Sequence, residues 1–194
     1  VRIAPTLAET EYHQSIFSQA GYHKAPIYMH AETMWAVDLR QTEEQILQGM
    51  RKNTRYYVRR GLKDAIDIKT SDDISALEDF WRLYEETYHR EDFTPFSHSY
   101  IEKEFNSFKN THNSLFILGG PPLKSAQEGA SRFLAGSLVI FTKSTAFYHQ
   151  GASIHTDLPV PYQIQWQTIL EAKRRGCSFY NLYVDKYLAW RRGI

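Results

Sequence analysis

From residue 34 onward the apolar positions recur in two periods, and the alternation between them marks out the elements. Trp35, Val37 and Leu39 recur every second residue, which predicts a strand over 34–39 with those side chains on one face. Thr42-Glu43-Glu44-Gln45 has the form of a capping box, in which a Thr hydroxyl serves the Gln45 amide and the Gln side chain reaches back. The helix it opens carries Ile46, Leu47 and Met50 on one side, and is expected to run through residues 51–60 to a C-cap at Gly61. Residues 65–69 alternate as a short strand. Asp72 or Asp73 should then cap a helix whose apolar set, Ile74, Leu77, Phe80, Trp81, Tyr84 and Tyr88, keeps helical spacing throughout. A shorter helix is expected near 100–108.

After that the pattern turns to strands. Leu115-Phe116-Ile117-Leu118 precedes a loop rich in Gly, Pro and Ser over 119–131, read as a hairpin tip, and strands are predicted over 133–141 and 146–150. Pro159 and Pro161 stand before a helix bearing Ile164, Ile169 and Leu170, which ends at Lys173-Arg174-Arg175-Gly176, cations followed by a glycine. Residues 178–184 make a last strand. The order strand, helix, strand, helix, helix, three strands, helix, strand predicts an α/β (α+β) domain of the GNAT acyltransferase type, with a mostly antiparallel mixed sheet flanked by helices. Residues 1–33, with one helical stretch near 9–20, are too few to bury a core. They read as the remnant of a preceding GNAT-like domain, in keeping with a start at Val1 rather than Met. On this reading 34–184 is the main domain and 185–194 a segment returning toward the first.

Composition narrows the function. The formal charge of +1 over 194 residues gives no global basic field, so any polyanion site must be local. A single cysteine, Cys177, excludes a disulfide framework and a multi-cysteine zinc site, and it reads as a small buried hydrophobe. No apolar run approaches a membrane span and no signal peptide opens the chain, so the expected location is cytoplasmic. Thirteen tyrosines suit half-wet binding surfaces, since each joins a flat apolar face to a polar tip.

Two stretches carry candidate chemistry. Arg51, Lys52, Arg55, Arg59, Arg60 and Lys63 contain no acid among them, and Arg51, Arg55 and Arg59 would share a helical face. Guanidinium forks suit phosphate; a solvated basic face is the alternative, and the interleaved Tyr56 and Tyr57 favour a ligand. Tyr148-His149-Gln150-Gly151-Ala152-Ser153 closes a predicted central strand, where small residues let a substrate backbone approach; a plain strand end is the alternative. The eight histidines show no metal-ligand spacing. A coenzyme A pyrophosphate site needs a glycine-rich turn, but Ile154-His155-Thr156-Asp157-Leu158-Pro159 lacks the glycines and introduces prolines without N–H groups.

The ordered series of motifs resembles the FemABX family of peptidoglycan-bridge aminoacyltransferases, mainly its second domain. A K-T-R-Y-N-I-R signature is matched by Lys52 to Arg59, and a Thr and Arg before an aromatic by Thr87, Arg90 and Phe93. Y-x-x-G-A-S is matched by Tyr148 to Ser153, and P-Y-x-x-Q-W by Pro161 to Trp166. A-K-x-x-G is matched by Ala172 to Gly176, followed by Tyr180-Asn181, and an F-K-x-G-F motif is echoed by Trp190 to Ile194. The resemblance implies transfer of an amino acid from aminoacyl-tRNA to the stem peptide of a peptidoglycan precursor, UDP-linked or lipid-linked. No cofactor or metal is implied beyond the aminoacyl-tRNA co-substrate, and a lipid-linked acceptor would bring peripheral membrane contact. It assigns Arg191, where the family has Lys, to the developing oxyanion and Tyr148 to the peptide groove. Lys52, Arg55 and Arg59 fall to phosphates, and Tyr56, Gln150, Ser153 and Tyr162 to substrate. The chain departs from the family in lacking most of the first domain and in reading Arg2-Ile3-Ala4-Pro5 where some members carry R-x-D-P. A coenzyme A-dependent N-acyltransferase and a non-catalytic precursor- or RNA-binding module are the competing readings.

Overall fold

In the computed structural model, which describes residues 3, 7, 9–26, 34–123 and 132–185, the capping box at Thr42 forms as expected. The Thr42 hydroxyl accepts from the Gln45 amide at 3.2 Å, and Gln45 Oε1 accepts from the Thr42 amide at 2.9 Å. The chain divides into two units, residues 1–33 and 34–194. The first holds helix α1 (Glu11–Gln19), whose N-cap Thr10 accepts from the His13 amide. The second holds β1 (Met34–Asp38), α2 (Glu43–Gly49), α3 (Lys52–Lys63), β2 (Asp67–Ser71), α4 (Ala76–Glu91), α5 (His98–Lys109), β3 (Ser114–Gly120), β4 (Ala135–Phe141), β5 (Thr145–Ser153), α6 (Val160–Arg174) and β6 (Phe179–Asp185).

The six strands form one sheet in the order β1-β6-β5-β4-β3-β2, antiparallel except for the β5–β6 pair. Both faces are covered, which is why β3 reads as an unbroken apolar run rather than an alternation. Leu115 and Ile117 join the core built on α6 and Val58 of α3, while Phe116 and Leu118 join the core of α4 and α5 around Phe80, Leu83 and Phe105. The fold is the expected mixed α/β one.

Several local expectations change. The helix after Thr42 does not run to residue 60: Met50 and Arg51 are extended, with ψ near 150°, and split it into α2 and α3. Ile46, Met50 and Val58 sit at multiples of four on either side of the break, so the apolar pattern passes over it. What stabilises the break is Arg55, whose Nη1 donates to the carbonyls of Gln48 at 2.9 Å and Met50 at 3.1 Å, satisfying groups that the end of α2 leaves open. Gly61 is not a C-cap but a buried residue inside α3, where a Cβ would overlap the side chain of Gln163. Its smallness brings α3 against α6 and lets Gln163 Nε2 donate to Val58 O at 2.6 Å. Neither Asp72 nor Asp73 caps α4; its N-cap is Ser75, and Asp73 Oδ1 instead accepts from the Ser75 amide. Pro161 lies inside the first turn of α6, with Pro159 as N-cap. Trp35 is exposed although Leu39, on the expected common face, is buried. Cys177 is buried as expected, and burial raises its thiol pKa.

Polar ties hold the helices to the sheet. Lys173 Nζ donates to Leu39 O at 2.7 Å and to Gln41 O, joining the end of α6 to the β1–α2 turn. Glu171 bonds Arg174 and Arg175, and the Arg175 guanidinium stacks 4.2 Å from the Phe141 ring centre and donates to His112 O.

Gly61→Val should destabilise the fold by roughly 2–3 kcal/mol, through overpacking and loss of the Gln163 bond, read as a lower midpoint in urea unfolding. Hydrogen bonds from Arg174 and Arg175 depress the Glu171 pKa against the opposing effect of burial. A depressed carboxyl contributes stability above its unfolded pKa and loses it as pH falls through its folded pKa. Acid titration of the unfolding free energy should therefore show a decline below about pH 4.3, and the decline should be shallower in Glu171→Gln.

Candidate functional site

The sheet parts where β5 leaves β6. Their parallel pairing covers only Thr145–Phe147 against Phe179–Asn181, after which β6 continues beside β1 and β5 beside β4 alone. A bulge adds to the parting: Leu138 pairs with Gln150 and Val139 with Tyr148, which leaves His149 as the extra residue. The His149 side chain turns to Glu104 of α5, Nε2 to Oε1 at 2.6 Å.

The ladder fixes which groups line the parted edge. Ile154 donates to Leu134 O, so by antiparallel alternation Ala152 and Gln150 also direct their backbone groups to β4, while Gly151 and Ser153 direct theirs away. Ser153 is satisfied by Thr87 of α4, whose Oγ1 accepts from the Ser153 amide at 3.0 Å and lies 3.1 Å from its carbonyl. Among the described residues, no strand pairs with the N–H and C=O of Gly151 on that side. Its missing side chain is replaced by the Tyr148 phenol, which occupies the place where a Cβ would stand.

Into this parting opens a groove of about 1380 Å³, larger than the roughly 300–1,000 Å³ of most small-molecule pockets. Its walls come from β1, the end of α2, the start of α3, the end of α4, the splayed halves of β5 and β6, and one face of α6. Tyr148, Ser153 and Tyr162 line it. Tyr162 stacks on Tyr57 at 4.8 Å, and burial raises its pKa. Asp38, also at the wall, is held to a pKa of about 2 by hydrogen bonds from the Arg40 side chain and amide, so it is ionised and engaged rather than a free base.

The remaining sequence candidates lie elsewhere. Lys52, Tyr56 and Arg59 are exposed on α3, Tyr56 at 58%, and Arg59 reaches Glu44 at 3.4 Å. Arg55 is turned inward onto α2 and does not share an open face with Arg51 and Arg59. Gln150 is buried at 8% and does not line the groove. Arg191 lies outside the described residues, as do Arg2, Ala4 and Pro5 and the 186–194 segment. Arg51, from the basic stretch, lines the groove, and Thr54, Thr87, Arg90 and Gln165 line it without a role assigned from sequence. Arg90 and Gln165 stand inside motifs that were legible, but nothing in one dimension shows that both line one groove. Among the described residues, no group of three or more His, Cys, Asp or Glu is gathered as a metal site, and no helix is long and apolar enough to cross a membrane.

The anion loop expected of a coenzyme A site is poor in donors. The Leu158 amide is taken by Thr156 Oγ1 at 3.1 Å, and Pro159 and Pro161 supply none.

The FemAB family model matches residues 18–120, just over half of the chain. Among solved structures, FemX superposes with a TM-score of 0.76 at 16% identity, over 94% of this chain and 64% of its own. The chain therefore spans just under two thirds of the FemX chain. The C-terminal domain of a lysylphosphatidylglycerol synthetase from Agrobacterium fabrum superposes at 0.54 and 13% identity, over 77% of this chain and 45% of its own. A GCN5-related glucosamine N-acetyltransferase region from a fungal multi-domain protein gives 0.51 at 11%, over 97% and 22%. At these identities the superpositions show a shared fold. No curated protein matches the chain in sequence.

Gly151→Ala should push the Tyr148 ring out of its place. The displaced atoms are the far end of a mobile side chain, so Tm should move by less than about 3 °C, while the near-ultraviolet circular dichroism of the tyrosines changes. An unaltered spectrum would mean that Tyr148 does not cover Gly151.

Proposed function

We propose, since this chain belongs to the FemAB family, that it is the part of an aminoacyltransferase that carries an amino acid from aminoacyl-tRNA to the stem peptide of a peptidoglycan precursor. The observation that carries this reading is the edge at Gly151, unpaired among the described residues and set in a groove of about 1380 Å³ lined by Tyr148 and Tyr162. An unpaired strand edge binds an extended peptide through main-chain hydrogen bonds, which suits a stem peptide better than a compact metabolite.

In the reaction, an amine of the stem peptide attacks the ester carbonyl of the aminoacyl-tRNA. A new amide bond forms, the ester C–O bond breaks, and the ribose hydroxyl leaves with a proton while the amine loses one. The negative charge on the tetrahedral intermediate needs fixed donors or a cation. We assign it to Arg191, which stays charged at any working pH and is therefore a stabiliser and not a base. Tyr148 lines the peptide path. Lys52 and Arg59, exposed on α3, together with Arg51 and Arg90 at the groove wall, are assigned to phosphates of tRNA or precursor, with Tyr56 available to stack. Arg55 keeps a structural role at the end of α2. No cofactor enters this chemistry, and the co-substrate places the reaction in the cytoplasm. A lipid-linked acceptor would bring the protein to the membrane surface.

The test is a transfer assay on the full-length protein with mixed radiolabelled aminoacyl-tRNAs, a peptidoglycan precursor and an RNase-treated control. The expected result is RNase-sensitive labelling of the precursor. Labelling from acetyl-CoA alone would replace the reading with a coenzyme A-dependent one, and precursor binding without any labelling would make the protein a binding module. Arg191→Ala should lower turnover at least 100-fold, on the scale of losing one oxyanion donor, with little change in precursor affinity. Undiminished turnover removes Arg191 from the mechanism.

A further inference from the structure

The two glutamines of the segment Pro161–Trp166 do different work. Gln163 is buried and spends its amide nitrogen on Val58 O, tying α6 to α3. Gln165 lines the groove, and its Oε1 accepts from the hydroxyl of Tyr180 at 2.5 Å. Among the described residues its amide nitrogen meets no acceptor, although it carries two N–H donors. Tyr180 on β6 is fully buried, and burial, reinforced by Tyr148 close by, pushes its pKa well above the usual tyrosine value. It therefore remains protonated and supplies a donor. Neighbouring Thr168 gives its hydrogen to Ile164 O at 2.8 Å. A donating phenol meets the oxygen end of a carboxamide, which leaves the nitrogen end for the groove.

We propose that Gln165 is the groove's neutral donor for a carbonyl oxygen of the peptide substrate, held in that orientation by Tyr180 as a positioning residue. The inference rests on reading the groove as the acceptor's peptide site. A carboxamide carries no charge and so does not select an anion; the guanidinium groups of Arg51 and Arg90 are the charged donors of the same groove, and both residues are exposed. An acceptor peptide then lies with an amide carbonyl on Gln165 and its anionic groups toward the arginines. The Gly151 edge offers a second pair of main-chain bonds on the facing wall. A ligand without a carbonyl at that place would leave the amide donors unpaired, so Gln165 contributes to specificity as well as affinity.

The experiment measures the affinity of the full-length protein for a UDP-linked muramyl pentapeptide, through the fluorescence of Trp35 and Trp166, which both line the groove. Gln165→Leu, which keeps the bulk and removes the donors, should weaken binding by about tenfold. Tyr180→Phe should weaken it by less, about threefold, and the double variant should be no weaker than Gln165→Leu, because Tyr180 acts through Gln165. In Gln165→Glu the loss should be largest near pH 7.5 and recede toward pH 4.5, where the carboxyl regains an O–H donor. Circular dichroism melting separates these effects from loss of fold. Affinity of Gln165→Leu within twofold of the unmodified protein, or losses in the two single variants that add in full, would overturn the inference while leaving the acceptor site standing. Unmodified protein that binds no muramyl pentapeptide overturns both.

Discussion

The groove exists because β5, paired with β4 along its length, pairs with β6 only over its first three residues. Three residues are enough to join β6 to it in parallel, and beyond them the two strands go to opposite neighbours. A parted sheet exposes backbone groups, and buried groups of that kind are costly unless each finds a partner. Thr87 meets part of that demand: its hydroxyl oxygen accepts from the amide of Ser153 at 3.0 Å while its hydrogen goes to Leu83 O at 2.6 Å. Among the described residues Gly151 has no strand partner on the side of the gap, and the bulge at His149 sets which residues of β5 point into it. The site is thus a controlled failure of sheet pairing, and the neighbouring helices are arranged around it.

Those helices are held by polar ties between distant parts of the chain as much as by apolar packing. Gln163 joins α6 to a carbonyl inside α3, and Lys173 joins the other end of α6 to the turn after β1. Arg55 crosses from α3 to α2, and Gly61 leaves room for the Gln163 side chain of α6 against α3. Each bond is worth on the order of 1 kcal/mol net, but each also satisfies a carbonyl at a helix end or inside a packed layer. Both ends of α6 are therefore fixed, and α6 supplies Tyr162, Gln165 and Trp166 to the groove. The rigidity that these ties provide is what a groove needs if its donors are to be in place before a ligand arrives.

The FemAB family is shown by sequence over residues 18–120, and the superposition on FemX shows a shared fold over 94% of the chain. At 16% identity the fold persists while most side chains differ. The groove of this chain must therefore be read from its own residues. Among them, the motif positions divide: Lys173 and Arg55 maintain structure, while Tyr148, Tyr162, Gln165 and Arg90 line the groove.

The local pattern of the chain determined its elements. The box at Thr42–Gln45, the helical apolar set from Leu77 to Tyr88, the doubly buried run of β3 and the glycine after α6 all depend on neighbours within a few residues, and such neighbours are visible in one dimension. The order of those elements was also sufficient for the fold class, and the spaced motifs for the family. The break at Met50–Arg51 was not legible, because it is stabilised by a guanidinium one turn into the next helix and the apolar spacing continues across it. The inward turn of Arg55, the burial of Gly61 and the withdrawal of Gln150 from the groove were hidden for the same reason. Only the tertiary structure decided which residues form the site. Tyr148, Arg90, Gln165 and Tyr180 stand on four different elements, and they meet where two strands part, a position fixed by long-range pairing register and a single bulge rather than by any local run of residues.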